Sequence, residues 1–410
     1  MRTILRAARL VDATGAAAVA DAVVVVEGER ITRIGPAAAL RVVPVAGVDR
    51  VIDVPGGTIL PGFIESHTHI HCSGTADAYQ DVLTDTDALA LLRASVCLRE
   101  LLSAGVTTVR DIGSKNSVAF AAREAVARGI IPGPRLLVCG APITTTGGHF
   151  SFMELEADSV EEVIAAFRAQ VKLGADHVKM MVSGGAFTPG TNTRRAQYGP
   201  AHVHAAVSEG KRLHKQLVAH CHATEAIAFA AEAGVDYIVH CSWQTEDGMA
   251  ADEGAIRNII EKGIYVDPTL AVGYHARTAM IASGSHDMDR WAEERARRLE
   301  IFREMRARGA RFIVGTDSGM PETPFSSWAV TPELFVHELG FSPIEAIQAG
   351  TKVTAEALGM AAEIGTLAEG KRADITIVNG DPLADIRALG DVDTVLAGGK
   401  VMKHGGRMNV

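Results

Sequence analysis

No two of the five cysteines (Cys72, Cys97, Cys139, Cys221, Cys241) stand in CxxC spacing, and an odd, scattered set cannot make a complete disulfide framework. Free thiols in a reducing compartment are expected, and with them a cytoplasmic location. No basic cluster interleaved with aromatic side chains occurs, and the net charge is −9, which speaks against nucleic acid as a partner. Membrane partners are not expected either. The apolar run Ala22–Val26 is far too short to span a bilayer, and Arg2, Arg6 and Arg9 interrupt Met1–Leu10, leaving no signal-peptide core. What remains is a chain of 410 residues, 47% apolar, which can bury a large core and a smaller module beside it.

Residues 1–57 read as short β-rich runs broken by Gly, Asp and Pro, with Glu27-Gly28-Glu29-Arg30 as a hairpin turn. From residue 58 apolar runs alternate with helical stretches, the pattern of a parallel α/β sheet. Eight such runs are found: Thr58–Ser66, Val106–Ile112, Arg135–Cys139, Ala175–Val182, Leu217–Cys221, Tyr237–Cys241, Ile264–Pro268 and Arg311–Thr316. Six helical segments end in glycine (Gly105, Gly129, Gly174, Gly234, Gly263, Gly309), the usual helix stop. Eight strand–helix units predict a (β/α)8 TIM barrel. A last helix over 342–360 opens with a Ser342 cap and Pro343. Residues 361–410 return to short strands around a Gly398-Gly399 turn. The expected division is therefore 1–57 and 361–410 as the two parts of one small β-sandwich, with the barrel over 58–360. The charge-dense segment Asp289–Arg308 reads as a solvated outer helix.

The ends of the strands carry the chemistry. His67 and His69 close the first run, and residues i and i+2 of a strand point the same way, so two imidazoles aim at one place. Lys179 lies in the fourth run, His220 ends the fifth, His240 the sixth and Asp317 the eighth. In a barrel these positions share the C-terminal rim. Lys179 is either a metal ligand or a buried lysine paired with a carboxylate such as Asp176. A ligand lysine must lose its ammonium charge, because an ammonium has no lone pair and would repel cations.

This set resembles the amidohydrolase superfamily over essentially the whole chain: HxH after Pro61-Gly62-Phe63-Ile64, the strand-four lysine, the two histidines, Gly315-Thr316-Asp317, and the closing run 365–374. Within it, the chain looks most like the binuclear branch of imidazolonepropionase-like proteins, Xaa-Pro dipeptidases, arginine/lysine carboxypeptidases, ochratoxin hydrolases and phenylurea hydrolases. That closer likeness rests on Thr146-Gly147-Gly148-His149, on the lysine context, and on the step of 20 residues from His220 to His240.

The resemblance implies that His67, His69 and Asp317 hold one divalent ion and His220 and His240 a second, with zinc the expected metal. Lys179, carboxylated by CO2, would bridge the two. Asp317 would be the catalytic proton acceptor and donor, and His149 a hydrogen-bond donor to the substrate carbonyl; otherwise His149 is a loop histidine tied to backbone. His222 is expected beside the ligands rather than among them. For substrate contact, Arg195 in the 188–200 loop could meet a carboxylate, or that loop is simply solvated. Tyr237 could do the same, or it packs within the barrel. The expected activity is hydrolysis of an amide in a dipeptide or N-acyl amino acid. The alternatives are a non-peptide amide (a cyclic imidazolone, an aryl amide or a phenylurea) and a catalytically silent barrel scaffold. The expected partner is a small-molecule substrate, and the expected assembly a homo-oligomer.

Overall fold

The computed structural model describes residues 2–283 and 289–409. Four strands come first: β1 (Arg2–Leu10), β2 (Val19–Glu27), β3 (Arg30–Pro36) and β4 (Asp49–Pro61). Eight parallel strands follow: β5 (Phe63–Thr68), β6 (Val106–Asp111), β7 (Arg135–Val138), β8 (His177–Met181), β9 (Gln216–Ala223), β10 (Tyr237–Thr245), β12 (Tyr265–Asp267) and β13 (Arg311–Phe312); β11 (Gly248–Met249) is a short arm on β10. The tail supplies β14 (Ile375–Asn379), β15 (Val392–Ala397), β16 (Lys400–His404) and β17 (Arg407–Met408).

The parallel strands form two hydrogen-bonded sets, β5-β6-β7 and β8-β9-β10-β12-β13. Backbone bonds join the sets on both sides. Asp176 N–H donates to Val138 O (2.9 Å) at one seam; Ser66 N–H to Val314 O (3.2 Å) and Asp317 N–H to His67 O (2.9 Å) close the other. The result is a barrel-like cycle flanked by helices. The strands read as apolar runs because both faces are covered: all six residues of β5 and all six of β6 are buried. The helices start where their caps predict. Ser159 with Glu162, and Ser342 with Glu345 behind Pro343, make complete capping boxes. The six glycines expected to stop helices all have φ between 66° and 97°.

Two expectations are corrected. The run Thr58–Ser66 is not one strand. Thr58–Pro61 ends β4 and pairs with β14, while β5 begins only at Phe63. Gly62 turns the chain between the two, and a Cβ there would overlap the Thr107 side chain, so no other residue fits. The terminal strands, moreover, do not make two facing sheets. They form one eight-stranded sheet in the order β17-β16-β15-β14-β4-β1-β2-β3. Here β4 joins the two chain ends, parallel to β1 and antiparallel to β14. The β3 side comes back to the segment before β14 through Ile31 N–H to Lys371 O (2.9 Å) and Ala373 N–H to Glu29 O (2.8 Å). Leu5, Val24, Ile52, Ile375 and Leu396 pack inside the curl.

Trp328 fastens the cycle near its closing seam. It stacks on Phe63 with centroids 4.0 Å apart, and its indole N–H donates to Ile64 O at 2.9 Å. Trp328→Ala removes both contacts from a fully buried site and is expected to cost about 3–5 kcal/mol, read as a lowered urea midpoint. An unchanged midpoint would show that this ring carries no part of the barrel's closure.

Candidate metal centre

Each expected ligand lies in a parallel strand or just after one. His67 lies near the end of β5 and His69 just past it; Lys179 is in β8, His220 in β9 and His240 in β10, with Asp317 following β13. The backbone is bent to aim several of them. His240 has φ 67° and Asp317 φ 60°, left-handed values uncommon outside glycine, and Thr269 beside them has φ 46°. The β9–β10 register slips between His240 and Gln244, a bulge of the kind that re-aims a side chain.

Two clusters of lone-pair donors result: His67, His69 and Asp317, and His220, His222 and His240. Within each, the ligand atoms lie within 4.8 Å of one another. Asp317 Oδ1 is 3.1 Å from His67 Nε2 and 3.2 Å from His69 Nε2. The clusters adjoin, with Asp317 Oδ2 4.0 Å from His240 Nδ1 and the His67 and His240 rings 5.2 Å apart. Buried Nε2 of His67 and Oδ1 of Asp317 lack a hydrogen-bond partner, so two donor atoms face one another without a proton suitably placed between them. A divalent cation satisfies such a pair, and imidazole plus carboxylate is the donor set zinc takes. These residues therefore fit a metal centre.

The electrostatics agree with the geometry. Burial works against charge at Asp317, yet His67 and His69 outweigh it and hold the carboxyl well below the usual range. Burial pushes His220 and His240 well below the ordinary imidazole value, which leaves them neutral with free lone pairs. Burial also lowers Lys179 to about 8, bringing a neutral amine within reach. Asp176 is bound to Arg123 (2.7 Å) and to the Val138 N–H (2.9 Å), so it is not a counter-ion for Lys179.

A further layer fixes the rings. Asp267, which ends β12, meets His67 Nδ1 at 2.7 Å with both side chains fully buried. Gly113 O lies 2.7 Å from His69 Nδ1, and Thr269 Oγ1 2.9 Å from His240 Nδ1. Gly315 lets Asp267 approach, since a Cβ there would collide with its carboxylate. Glu65, fully buried and raised to about 8 by desolvation, accepts from the His67 N–H and the Thr316 hydroxyl at 2.8 Å each. Sequence reasoning missed Asp267 and Glu65. The signal for Asp267 was present: a lone carboxylate closing the seventh run, just before Pro268.

The centre opens into a cavity of about 620 Å³ lined by His69, His149, Lys179, His220, His240 and Asp317 among others. His149 stands 4.6 Å ring to ring from His220, with its Nδ1 3.1 Å from Thr188 Oγ1. His222, expected to stand aside, belongs to the second cluster; its ring stacks on His240 at 4.4 Å. It repeats on β9 the i, i+2 logic of His67 and His69.

At two open alternatives the structure matches the plainer reading, and it corrects a third expectation. Tyr237 begins β10, at the end of the barrel away from the cavity; its hydroxyl donates to Ala357 O, and Arg110 covers its ring. It packs within the barrel and is not part of the cavity lining. Arg195 is 70% exposed and paired with Glu246 at 2.5 Å, outside the cavity wall, where its neighbour Arg194 sits instead. The helix Asp289–Ala307 is not merely solvated, because Arg290, Trp291, Glu294, Arg295 and Arg298 face the cavity.

Comparison with known proteins places this architecture. The profile of the Amidohydrolase family matches residues 58–402, and the chain belongs to that family. It is a hydrolase by that membership. Among individual proteins it is 29% identical to an ochratoxinase of Aspergillus niger over 388 residues, covering 85% of this chain and 76% of the relative. It is 24% identical to an imidazolonepropionase of Haloarcula marismortui, covering 87% and 83%. A crystal structure of a Xaa-Pro dipeptidase with methionine bound in its active site superposes with a TM-score of 0.85 at 27% identity, covering 98% of this chain and 100% of that one.

Asp267→Asn keeps the shape but removes the carboxylate that orients His67. It is expected to weaken zinc binding about 10–100-fold, measured by competition with a chelator. Unaltered zinc affinity would remove Asp267 from the centre.

Proposed function

We propose that this chain is a (β/α)8-barrel, binuclear metal-dependent amidohydrolase that cleaves an amide bond in a dipeptide or N-acyl amino acid with a free carboxylate. We read it as a cytoplasmic homo-oligomer, a location supported by five free and buried cysteines. The observation that carries the reading is the convergence of the two donor clusters on one cavity, with Asp317 touching the first and within 4.0 Å of the second.

His67, His69 and Asp317 would hold one divalent ion, most suitably zinc, and His220 and His240 the other, with His222 at hand beside them. Lys179 would join them after its neutral amine attacks CO2, loses a proton and becomes a carbamate anion. Bound there, the ions supply a polarised carbonyl and an acidified water. The protein's own groups do the rest. Asp317, the carboxylate nearest both clusters, accepts the proton of the attacking water and passes it to the leaving nitrogen. His149 is neutral because burial holds its pKa well below the ordinary value, and it donates a hydrogen bond as negative charge grows on the carbonyl oxygen. Phe150, Phe187 and Met181 line the same cavity and limit water around the reacting bond.

The Xaa-Pro dipeptidase likeness, at a TM-score of 0.85, supports a dipeptide substrate. A second reading, an aryl or other non-peptide amide, is favoured by the 29% identity to ochratoxinase. A panel of dipeptides, N-acyl amino acids and aryl amides on zinc-loaded protein separates the two; exclusive turnover of aryl amides lacking a carboxylate would overturn the first.

Asp317→Asn is expected to leave the melting temperature near native and to lower kcat by at least about 1000-fold. Turnover within tenfold of the parent would take Asp317 out of the reaction. Lys179→Ala is expected to lose metal, measured by elemental analysis, and to regain part of it with a short-chain carboxylic acid. Full metal content without any added acid would defeat the bridging role.

A further inference from the structure

Five arginines line the cavity: Arg194, Arg277, Arg290, Arg295 and Arg298. Three meet carboxylates of the protein. Arg194 and Arg290 share Glu294 at 2.6 and 2.9 Å, and Arg295 pairs with Glu338. Arg277 and Arg298 meet no carboxylate among the described residues. Arg277 donates to Val272 O at 3.2 Å and lies 5.6 Å from the Trp291 ring centroid. Arg298 makes one long bond to Ser242 Oγ (3.4 Å), and its Nε is shut off from solvent with no partner.

A guanidinium stays charged at every working pH, so shielding one without an anion is costly. Burial first, then the charges of Arg295 and Arg277, pull the Arg298 value down to about 10, and the Glu338 carboxylate, already paired with Arg295, offsets this only in part. Its position is also informative. Ser242, which Arg298 contacts, lies 2.9 Å from His222 Nδ1, within the second histidine cluster. An anion received by Arg298 would thus lie beside the candidate metal centre. The cavity wall there also carries Trp291, which suits an organic anion with an apolar body rather than a small inorganic one.

We propose that Arg277 and Arg298 form the carboxylate-binding wall of the site, and that the substrate's amino-acid portion reaches it with its free carboxylate on these two guanidiniums and its apolar side chain against Trp291. This rests on the amidohydrolase reading above and names the groups that select the substrate. It also relocates the carboxylate contact, from the loop after β8 to the segments that follow β12. Arg is the suitable residue because its planar fork takes both carboxylate oxygens.

The test is calorimetric binding of L-leucine and L-leucinol to the zinc-loaded full chain; the two probes share an ammonium and a side chain but differ in the carboxylate. Leucine is expected to bind at least about tenfold tighter, the size of one charge-assisted hydrogen bond. Arg277→Met and Arg298→Met should each lose most of that preference, leave leucinol within about threefold, and keep native zinc content; Arg298→Lys should restore part of it. Should Arg298→Met fail to fold, Arg277→Met decides alone. Equal binding of the two probes by the parent, or an unchanged preference in folded variants, overturns the proposal, because the carboxylate would then be read elsewhere or by the metal. Failure of the hydrolase reading looks different: no amide is turned over, yet the leucine preference and its loss in the variants persist.

Discussion

The Asp317 carboxylate is where the fold and the chemistry depend on each other. Its N–H donates to His67 O and helps close the strand cycle, while its side chain meets His67 and His69 at 3.1 and 3.2 Å. The same residue takes a left-handed φ of 60°, a conformation a non-glycine residue keeps only when its surroundings enforce it. Those surroundings are a closed ring of parallel strands. An open sheet would let the eighth strand drift from the first, and the donor set would come apart.

The centre is held by more than its ligands. Each candidate histidine has one nitrogen placed: His67 on Asp267, His69 on Gly113 O, His220 on Gly184 O, His222 on Ser242 and His240 on Thr269. With one nitrogen occupied, the ring is held in place and the other nitrogen is left for the donor cluster. Burial adds a second effect, since neutral imidazoles keep lone pairs that protonated ones would lose. Buried Glu65 props the His67 backbone from below, accepting at 2.8 Å from its N–H. The apolar walls matter for the same reason, because low polarity strengthens each of these contacts.

Much of this was legible from residues alone, for a definable reason. Period-two alternation and strand-end position are local properties, so His67, His69, Lys179, His220, His240 and Asp317 could be read as one rim. Gly105, Gly129, Gly174, Gly234, Gly263 and Gly309 marked helix ends because left-handed φ is a local demand. What escaped was relational. Asp267 and Glu65 gain meaning only from the partner across the barrel, and Tyr237 stayed open between substrate contact and packing until its place as the first residue of β10 was known. Arg195 was preferred to Arg194 although neighbouring loop residues can face opposite ways, which no period governs. The strand split at Gly62 was hidden because β4 and β5 follow one another with a single residue between them.

The helix Asp289–Ala307 shows most plainly why charge in a sequence does not declare its purpose. Counted along the chain, its arginines and glutamates look like a solvated face. In space they divide by partner: Glu294 takes both Arg290 and Arg194, Arg297 pairs with Glu300 at 2.8 Å, and Arg295 is drawn to Glu338 from another helix. Arg298 is left over, turned inward toward Ser242 and shielded. A pairing inventory therefore separates solubility from selectivity where composition cannot. A charge matched within the protein needs nothing from a ligand, whereas one that is desolvated and unmatched makes the cavity prefer whatever brings the missing sign. The strand ends thus set the bond to be cut, and the segments after β12 set what must be attached to it.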